Sequence, residues 1–546
     1  MELVGTLFSF VGGLGMFIYG MNTMADGLQK AAGNKTKKLM NFLTKNRLMA
    51  VLVGALITAI IQSSSATTVM VVGFVNARFM DLTQAVGVIM GANIGTTITA
   101  WLVSMSEWGD MLKPEFYAPL FIGIGAFVLM FTKKESLKEK GAILIGFGFL
   151  FVGLSLMSGA IEPYRNSPVF ADAFRVLGKN PLLGILTGMV VTAVIQSSSA
   201  SVGILQTLAI HGVVNWNSAI FITLGQNIGT CVTALLSSAG TNRTAKRAAT
   251  IHLLFNTLGA GFFGILMFVL FQFNPGWGSS TINSVEISIF HTIFNITCTL
   301  LLFPFANTLV KLSGVIVKSH EEEPAASPVD ELIGKLDQRI LENPAFAIQT
   351  ASAQVYTMGH LALENVRSAT TALLNNNENE ISKVFSREDV INQYEKLLTE
   401  YLVQIDSTSL TEKQHTNIKN LLYIISDMER ISDHCENIAE LSQNKIKQQC
   451  HFSIDGGKDL KIIFECAILS LENSLKAIED SDSNAVGVTN FYENKVDEIE
   501  KKLREKHIRR LSTGECNTSS GIIFLDVLSN IERISDHAKN IANYEF

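Results

Sequence analysis

Two apolar segments of this chain are each interrupted at mid-length by the same polar cluster, and no other feature limits the fold so strongly. Residues Asn46–Ser104 align without gaps on Asn180–Ser238, 134 positions further on. Self-similarity of this kind marks an architecture assembled from copies. Gln62-Ser63-Ser64-Ser65-Ala66 recurs as Gln196-Ser197-Ser198-Ser199-Ala200, and Gly91-Ala92-Asn93-Ile94-Gly95-Thr96 recurs as Gly225-Gln226-Asn227-Ile228-Gly229-Thr230. Just upstream, Gly13–Met24 resembles Gly146–Met157. Each half therefore reads as a leading helix, a hairpin carrying a polar cluster, and a helix with an Asn-Ile-Gly-Thr break.

The surroundings of these copies are apolar over lengths that span a bilayer, which takes roughly 20 residues of helix. Candidate spans are Leu3–Leu28, Leu82–Ser104, Tyr117–Thr132, Gly141–Ile161, Asn217–Ala239, Thr250–Phe271 and Glu286–Leu312. The interrupted stretches Leu48–Ala77 and Leu182–Val214 are read as re-entrant hairpins, since irregular backbone at membrane depth is tolerated only inside protein or along a water-filled cavity. From Glu321 onward the chain turns rich in Glu, Lys, Asn and Asp, with helical periodicity and no strand-like alternation. The expected fold is all-α: a polytopic membrane domain over 1–317 with repeats at about 3–132 and 141–272 and a final helix at 286–312, a linker at 318–335, and a soluble helical domain over 336–546. The N-terminal apolar stretch has no Lys or Arg before it, so it reads as a retained helix rather than a signal peptide.

Basic residues orient the membrane domain. With the C-terminal domain in the cytoplasm, the loops carrying Arg243, Lys246 and Arg247, then Lys133–Lys140, then Lys30, Lys35, Lys37, Lys38, Lys45 and Arg47 all fall inside. The N-terminus then lies outside, and the first hairpin enters from the cytoplasm while the second enters from outside. The halves become inverted copies, and interrupted hydrophobic segments at matching positions of inverted copies point to a secondary transporter with a midplane site.

Serine, glutamine and asparagine at that depth need partners, because an unpaired polar group in hydrocarbon costs several kcal/mol in order of magnitude. Hydroxyls donate to anion oxygens and accept from cations, and amides do both. Helix breaks add N–H groups that favour an anion and carbonyls that suit sodium. Small residues also let membrane helices pack closely, but packing gives little reason to keep glutamine beside three serines at both related positions. The apolar region has no obvious Asp or Glu relay, which argues against proton coupling and for sodium. His252 and His291 each precede an asparagine by four residues, Asn256 and Asn295; they read as inter-helix hydrogen-bonding pairs or as a proton or substrate site.

Other function classes find little support. A net charge of −6 supplies no basic surface for nucleic acid. The triple serines have no histidine and carboxylate near them in sequence, and there is no phosphate-loop glycine motif. Six cysteines, Cys231, Cys298, Cys435, Cys450, Cys466 and Cys516, lack the spacing of a zinc site or a disulfide framework.

The C-terminal region repeats as well. Glu429-Arg430-Ile431-Ser432-Asp433-His434 returns as Glu532-Arg533-Ile534-Ser535-Asp536-His537, followed by Asn437 and Asn540 respectively, and Glu388–Glu400 resembles Glu493–Glu505. Two tandem three-helix bundles account for this. Glu429, Asp433 and Asn437, and equally Glu532, Asp536 and Asn540, share one helix face. Each stripe is either a solvated surface balanced by the adjacent arginine or a set of oxygen ligands for a divalent cation.

The doubled Gln-Ser-Ser-Ser-Ala cluster resembles the type II sodium/phosphate cotransporter family, in its bacterial form with a PhoU-like C-terminal domain, and the resemblance covers essentially the whole chain. It implies sodium-driven movement of inorganic phosphate across the cell membrane. Carried over by motif, Gln62, Ser63, Ser64, Ser65, Gln196, Ser197, Ser198 and Ser199 are the expected phosphate and sodium ligands, with Asn93, Thr96, Asn227 and Thr230 completing the site. The Glu-x-x-x-Asp pairs are similar to the metal motif of PhoU-like proteins and imply a regulatory role, through self-association or a regulatory protein. The competing expectation from a different class is a membrane phosphate sensor that signals through the C-terminal bundles without net transport.

Overall fold

A computed structural model describes residues 2–32, 46–108, 113–164, 172, 174, 176–177, 179–318, 328–406, 410–480, 482–513 and 518–544. Lys35, Lys37, Lys38 and Lys45 of the first basic loop, residues 319–327 of the linker and Cys516 lie outside these residues. The described residues are nearly all helical, with a single isolated bridge, Asn215 to Thr281. They form two compact units: Met1–Pro324 with Asp337–Ala345, and Ala325–Leu336 with Phe346–Phe546.

In the first unit the order is α1 Glu2–Ala32, α2 Arg47–Ile61, α3 Ser64–Asn76, α4 Leu82–Gly95, α5 Thr97–Ser104, α6 Pro114–Phe131, α7 Glu135–Ile161, α8 Pro181–Ile195, α9 Ser198–Ile210, α10 Trp216–Ser237, α11 Arg243–Phe273, α12 Pro275–Ser279, α13 Ser284–Leu302 and α14 Ala306–Ile316. Among the described residues α1, α6, α7, α10, α11 and α13, together with the continuous stretch Leu82–Glu107 that holds α4 and α5, give seven spans long and apolar enough to cross a membrane, and α2, α3, α8 and α9 are shorter apolar helices. The expected span Glu286–Leu312 divides into α13 and α14 around Pro304, which has no N–H to give and crowds the preceding turn.

Close backbone approach is the packing device of both copies. A Cβ on Gly91 would lie 2.0 Å from the Val51 carbonyl, and one on its counterpart Gly225 would lie 1.9 Å from the Ile185 carbonyl. Only glycine lets α4 seat on α2 and α10 seat on α8. These two helix pairs hold the interrupted segments in place.

Each interrupted segment is a helix, a break and a second helix. Gln62 and Gln196 end α2 and α8 in the left-handed conformation, with φ of 55° and 57°. Across the first break Thr58 donates to Thr67 at 3.0 Å, and across the second Thr192 donates to Ser201 at 2.9 Å. Ser63 and Ser197 then start the next helices as N-caps, accepting from the amides of Ala66 and Ala200.

The Asn-Ile-Gly-Thr breaks expected in both halves differ. The first copy has only a one-residue turn at Thr96, between α4 and α5, whose backbone stays right-handed helical at φ −65° and ψ −21°, whereas α10 runs without even that from Trp216 to Ser237. In α10 the Thr230 hydroxyl donates back to the Gln226 carbonyl at 3.0 Å.

The second unit holds α15 Pro328–Lys335, α16 Pro344–Asn375, α17 Glu378–Asp406, α18 Glu412–Lys447, α19 Ile454–Asp480, α20 Ser483–Ser512 and α21 Thr518–Asn543. α16 to α18 and α19 to α21 are the two bundles. Residues 328–335, read above as linker, are helical: Pro328 opens the helix, Asp330 and Glu331 lie in its first turn, Lys335 closes it, and Leu332 is fully buried. Asp337–Ala345 departs from the second unit and packs with the first.

Candidate functional site

The N-terminal ends of α3 and α9 meet. Ser64 Oγ, Thr96 Oγ1 and Ser198 Oγ lie 3.5 Å from one another, and all three residues are buried. A good O–H···O bond is about 2.7–2.8 Å, so these hydroxyls do not satisfy each other. The site combines three loosely spaced donors with the positive ends of two helices, a combination suited to an anion.

A second polar group adjoins the triangle. Thr99 donates to Gln62 Oε1 at 3.0 Å and accepts from Ser199 at 3.3 Å, so it joins one cluster to the other. Thr99 was not among the residues picked from the motifs; the available signal was its place one turn after Thr96, on the same helix face. Ser65 and Ser197 are half-buried and Gln196 is exposed, whereas Gln62 is buried. The chemical symmetry of the motifs is therefore broken in the folded chain.

The asparagines do not converge on the triangle in the same way. Asn93 donates to its own helix at the Ile89 carbonyl, 2.9 Å away. Asn227 instead accepts from His291 Nε2 at 3.1 Å and donates to Asn295 at 2.9 Å, tying α10 to α13. His291 is thus an inter-helix hydrogen-bonding residue. His252 is buried with neither ring nitrogen bonded, and its carbonyl accepts from Asn256 and Cys231.

In the second unit one carboxylate oxygen from each of Glu493, Asp497 and Asp536 falls within 4.8 Å of the others. Of the residues expected there, Asp536 takes part. Glu493 and Asp497 come from α20, whose similarity to the Glu388–Glu400 stretch was the available signal. Glu493 is buried, its Oε2 has no partner, and its Oε1 accepts from Lys539 at 2.8 Å. In the first bundle the matching Glu388 accepts from Ser432 at 2.6 Å. Burial raises the carboxyls of Glu388 and Glu429, and Asp433 adds to both. Burial likewise raises Glu436 and Glu532, the latter with help from Asp536.

Asn437 and Asn540 serve a different contact. His434 donates to Asn530 at 2.9 Å and His537 donates to Asp427 at 2.7 Å, while Asn437 and Asn540 reach the same two acceptors. Each bundle's histidine bonds the other bundle's α18 or α21 at the equivalent position, and the two rings stack 5.9 Å apart. These asparagines therefore face the junction of the bundles.

Fold and site together define a polytopic helical membrane protein with a duplicated hydroxyl and amide site, carrying a pair of three-helix bundles. The chain belongs to the Na+/Pi-cotransporter family, whose model matches residues 16–159 and 167–281, and it carries a PhoU domain matched at 355–442 and 460–544. It is similar to the uncharacterised protein YqeW of Bacillus subtilis, 30% identical over 311 residues, which cover 57% of this chain and 98% of YqeW. YjbB of Escherichia coli, for which inorganic phosphate export has been proposed, is 23% identical over 537 residues, 97% of this chain and 95% of its own. Sodium-dependent phosphate transport protein 2A of Rattus norvegicus is 37% identical over 128 residues, 22% of this chain and 20% of its own.

Proposed function

We propose that the chain is a secondary transporter of inorganic phosphate coupled to sodium, regulated by its PhoU unit. The convergence of Ser64, Thr96 and Ser198 at the N-termini of two repeat-related helices carries this reading. Phosphate accepts from the hydroxyls and helix amides. Gln62, Thr99 and Ser199 offer the neutral oxygens that sodium takes, and Ser63 and Ser197 hold the helix ends in place as caps.

The broken segments are re-entrant hairpins in this reading, and the copies are inverted in the cell membrane, with the N-terminus outside and the PhoU unit in the cytoplasm. Alternating access is a movement of one copy against the other around the shared triangle. Glu493, Asp497 and Asp536 are hard oxygen donors that fit a divalent cation, and the unpartnered buried oxygen of Glu493 supports a ligand there. In the first bundle Asn392 stands where the second has Asp497, so the second site is the stronger one.

Uptake of radiolabelled phosphate into liposomes holding the purified chain tests the reading, with sodium, potassium and proton gradients imposed in each direction. Sodium-dependent accumulation above equilibrium is the expected result. Phosphate binding without movement under any gradient overturns it in favour of a sensor.

A further inference from the structure

The turn at Gln338–Glu342 is where the chain leaves the second unit, packs into the first and returns. Its anchoring is specific. The Asp337 carboxylate accepts from Asn76 Nδ2 at 2.6 Å and from Arg339 Nη1 at 2.8 and 2.9 Å. Arg339 continues past it, donating from Nε to the Ser237 carbonyl at 2.5 Å and from Nη2 to the Ala239 carbonyl at 3.2 Å. Ser237 ends α10, so the guanidinium sits at the negative end of that helix, where a cation is favoured.

Asn76 ends α3 and binds a third element. Its side-chain oxygen accepts from the Asn242 amide and its carbonyl accepts from the Asn242 side chain, each at 2.9 Å, and Asn242 is the N-cap of α11. The segment therefore clamps the end of α3, from the first copy, to the end of α10, from the second, and Asn76 carries the link on to the start of α11. Ile340 is fully buried against Gly73, where a Cβ would come within 3.0 Å of Arg339 Cβ and 3.3 Å of Ile340 Cγ1.

This seat is a departure from the repeat. At the matching positions of α9 the chain has Thr207 for Gly73 and Ile210 for Asn76, which supply neither the hollow nor the amide. The α3 rod is 13 residues long, about 20 Å at 1.5 Å per residue, and its other end carries Ser63, Ser64 and Ser65. With the clamp seated, the Ser64, Thr96 and Ser198 triangle is closed off from solvent, at 4%, 7% and 6% exposure.

We propose that Asp337–Asn343 is a latch between the two copies, through which the PhoU unit governs transport, and that the latched state is silent. This rests on the transport reading above, because motion of one copy against the other is what the clamp restrains. Arg339 is its positioning residue: it neutralises Asp337 and ties the segment to α10. The chain on both sides of the latch belongs to the second unit, so a rearrangement of that unit pulls on it directly.

The test uses the full chain in liposomes and reads phosphate exchange at equal concentrations on both sides, which requires movement but no gradient. In a Gly73→Cys, Arg339→Cys variant the two Cβ atoms start close to the 3.5–4.5 Å of a disulfide. Oxidation is expected to slow exchange at least tenfold, and thiol reductant to restore it. Arg339→Ala is expected to speed exchange about threefold or more, with phosphate affinity at equilibrium within twofold of the parent and the chain still folded at the assay temperature. Oxidised, verifiably bridged protein exchanging at its reduced rate, or a folded Arg339→Ala chain that exchanges no faster than the parent, overturns the latch. If the parent chain moves no phosphate, the transport reading fails separately. The latch then stands only if phosphate with sodium changes the rate of bridge formation in the double variant by about fivefold, and an unchanged rate overturns it too.

Discussion

Serines 63 and 64 are adjacent in the chain, yet the structure gives them different work, and replacing each by alanine separates the two roles. Ser64 Oγ stands 3.5 Å from both Thr96 and Ser198 and points into the triangle. A hydrogen bond to a charged partner contributes about 1.5–3 kcal/mol, so Ser64→Ala and Ser198→Ala should each weaken phosphate binding roughly 10- to 150-fold. Ser63 Oγ is engaged by the Ala66 amide at 3.1 Å. Losing such a cap costs about 1 kcal/mol of stability, which lowers the melting temperature of Ser63→Ala while leaving phosphate affinity within about threefold. Because Ser64 and Ser198 address one anion, the double variant should depart from additivity by more than about 0.5 kcal/mol, the tolerance of independent sites. Equilibrium binding of radiolabelled phosphate to detergent-purified protein, with thermal melting of the same samples, measures both quantities. The reasoning fails if Ser64→Ala and Ser198→Ala bind like the parent, or if Ser63→Ala loses affinity as they do with no change in melting.

The remaining predictions concern packing and the PhoU unit. Gly225→Ala forces a Cβ to within 1.9 Å of the Ile185 carbonyl and should cost at least about 1–3 kcal/mol, seen as lost folded protein by size-exclusion chromatography, whereas Gly12→Ala, with nothing within 4 Å, should express like the parent. Burial and neighbouring carboxylates raise Glu388, Glu429, Glu436 and Glu532 above the ordinary 4.5. Their contribution to stability is therefore full below that value and is lost as pH rises through the raised pKa values. Hydrogen exchange of α16 to α21 in the full chain should show more protection at pH 5 than at pH 7, and a divalent cation should reduce the difference, less so in Asp497→Ala. Asp427→Ala removes the shared acceptor of His537, Asn540 and Tyr544 and should destabilise α18 and α21 by about 2–4 kcal/mol, against about 1 kcal/mol or less for exposed Asn494→Ala, by the same exchange measurement.

Much of this protein could be read from residue order. Apolar runs longer than a bilayer's requirement, broken at matching positions, follow from chain composition, because lipid leaves a backbone few ways to satisfy its own amides. The gapless repeat identified which breaks matter, while the capping by Ser63 and Ser197, expected as ligands, emerged only in the folded chain. Two tandem bundles were legible for a local reason: helical periodicity repeats with the sequence.

Tertiary structure decided which members of each motif share a site. Equal sequences in the two copies meet unequal neighbours: α4 meets a one-residue turn at Thr96 while α10 runs on through Thr230, and Asn93 serves its own helix while Asn227 is taken by His291 and Asn295 on α13. Helix α13 lies outside the repeat, so no comparison of the copies could foresee its effect. Thr99 and Glu493 join their sites through space rather than through adjacency, and Asn437 and Asn540, spaced like ligands, turn to the opposite bundle instead. Spacing along a helix fixes which face a side chain occupies, but only the packing of other helices determines what that face meets.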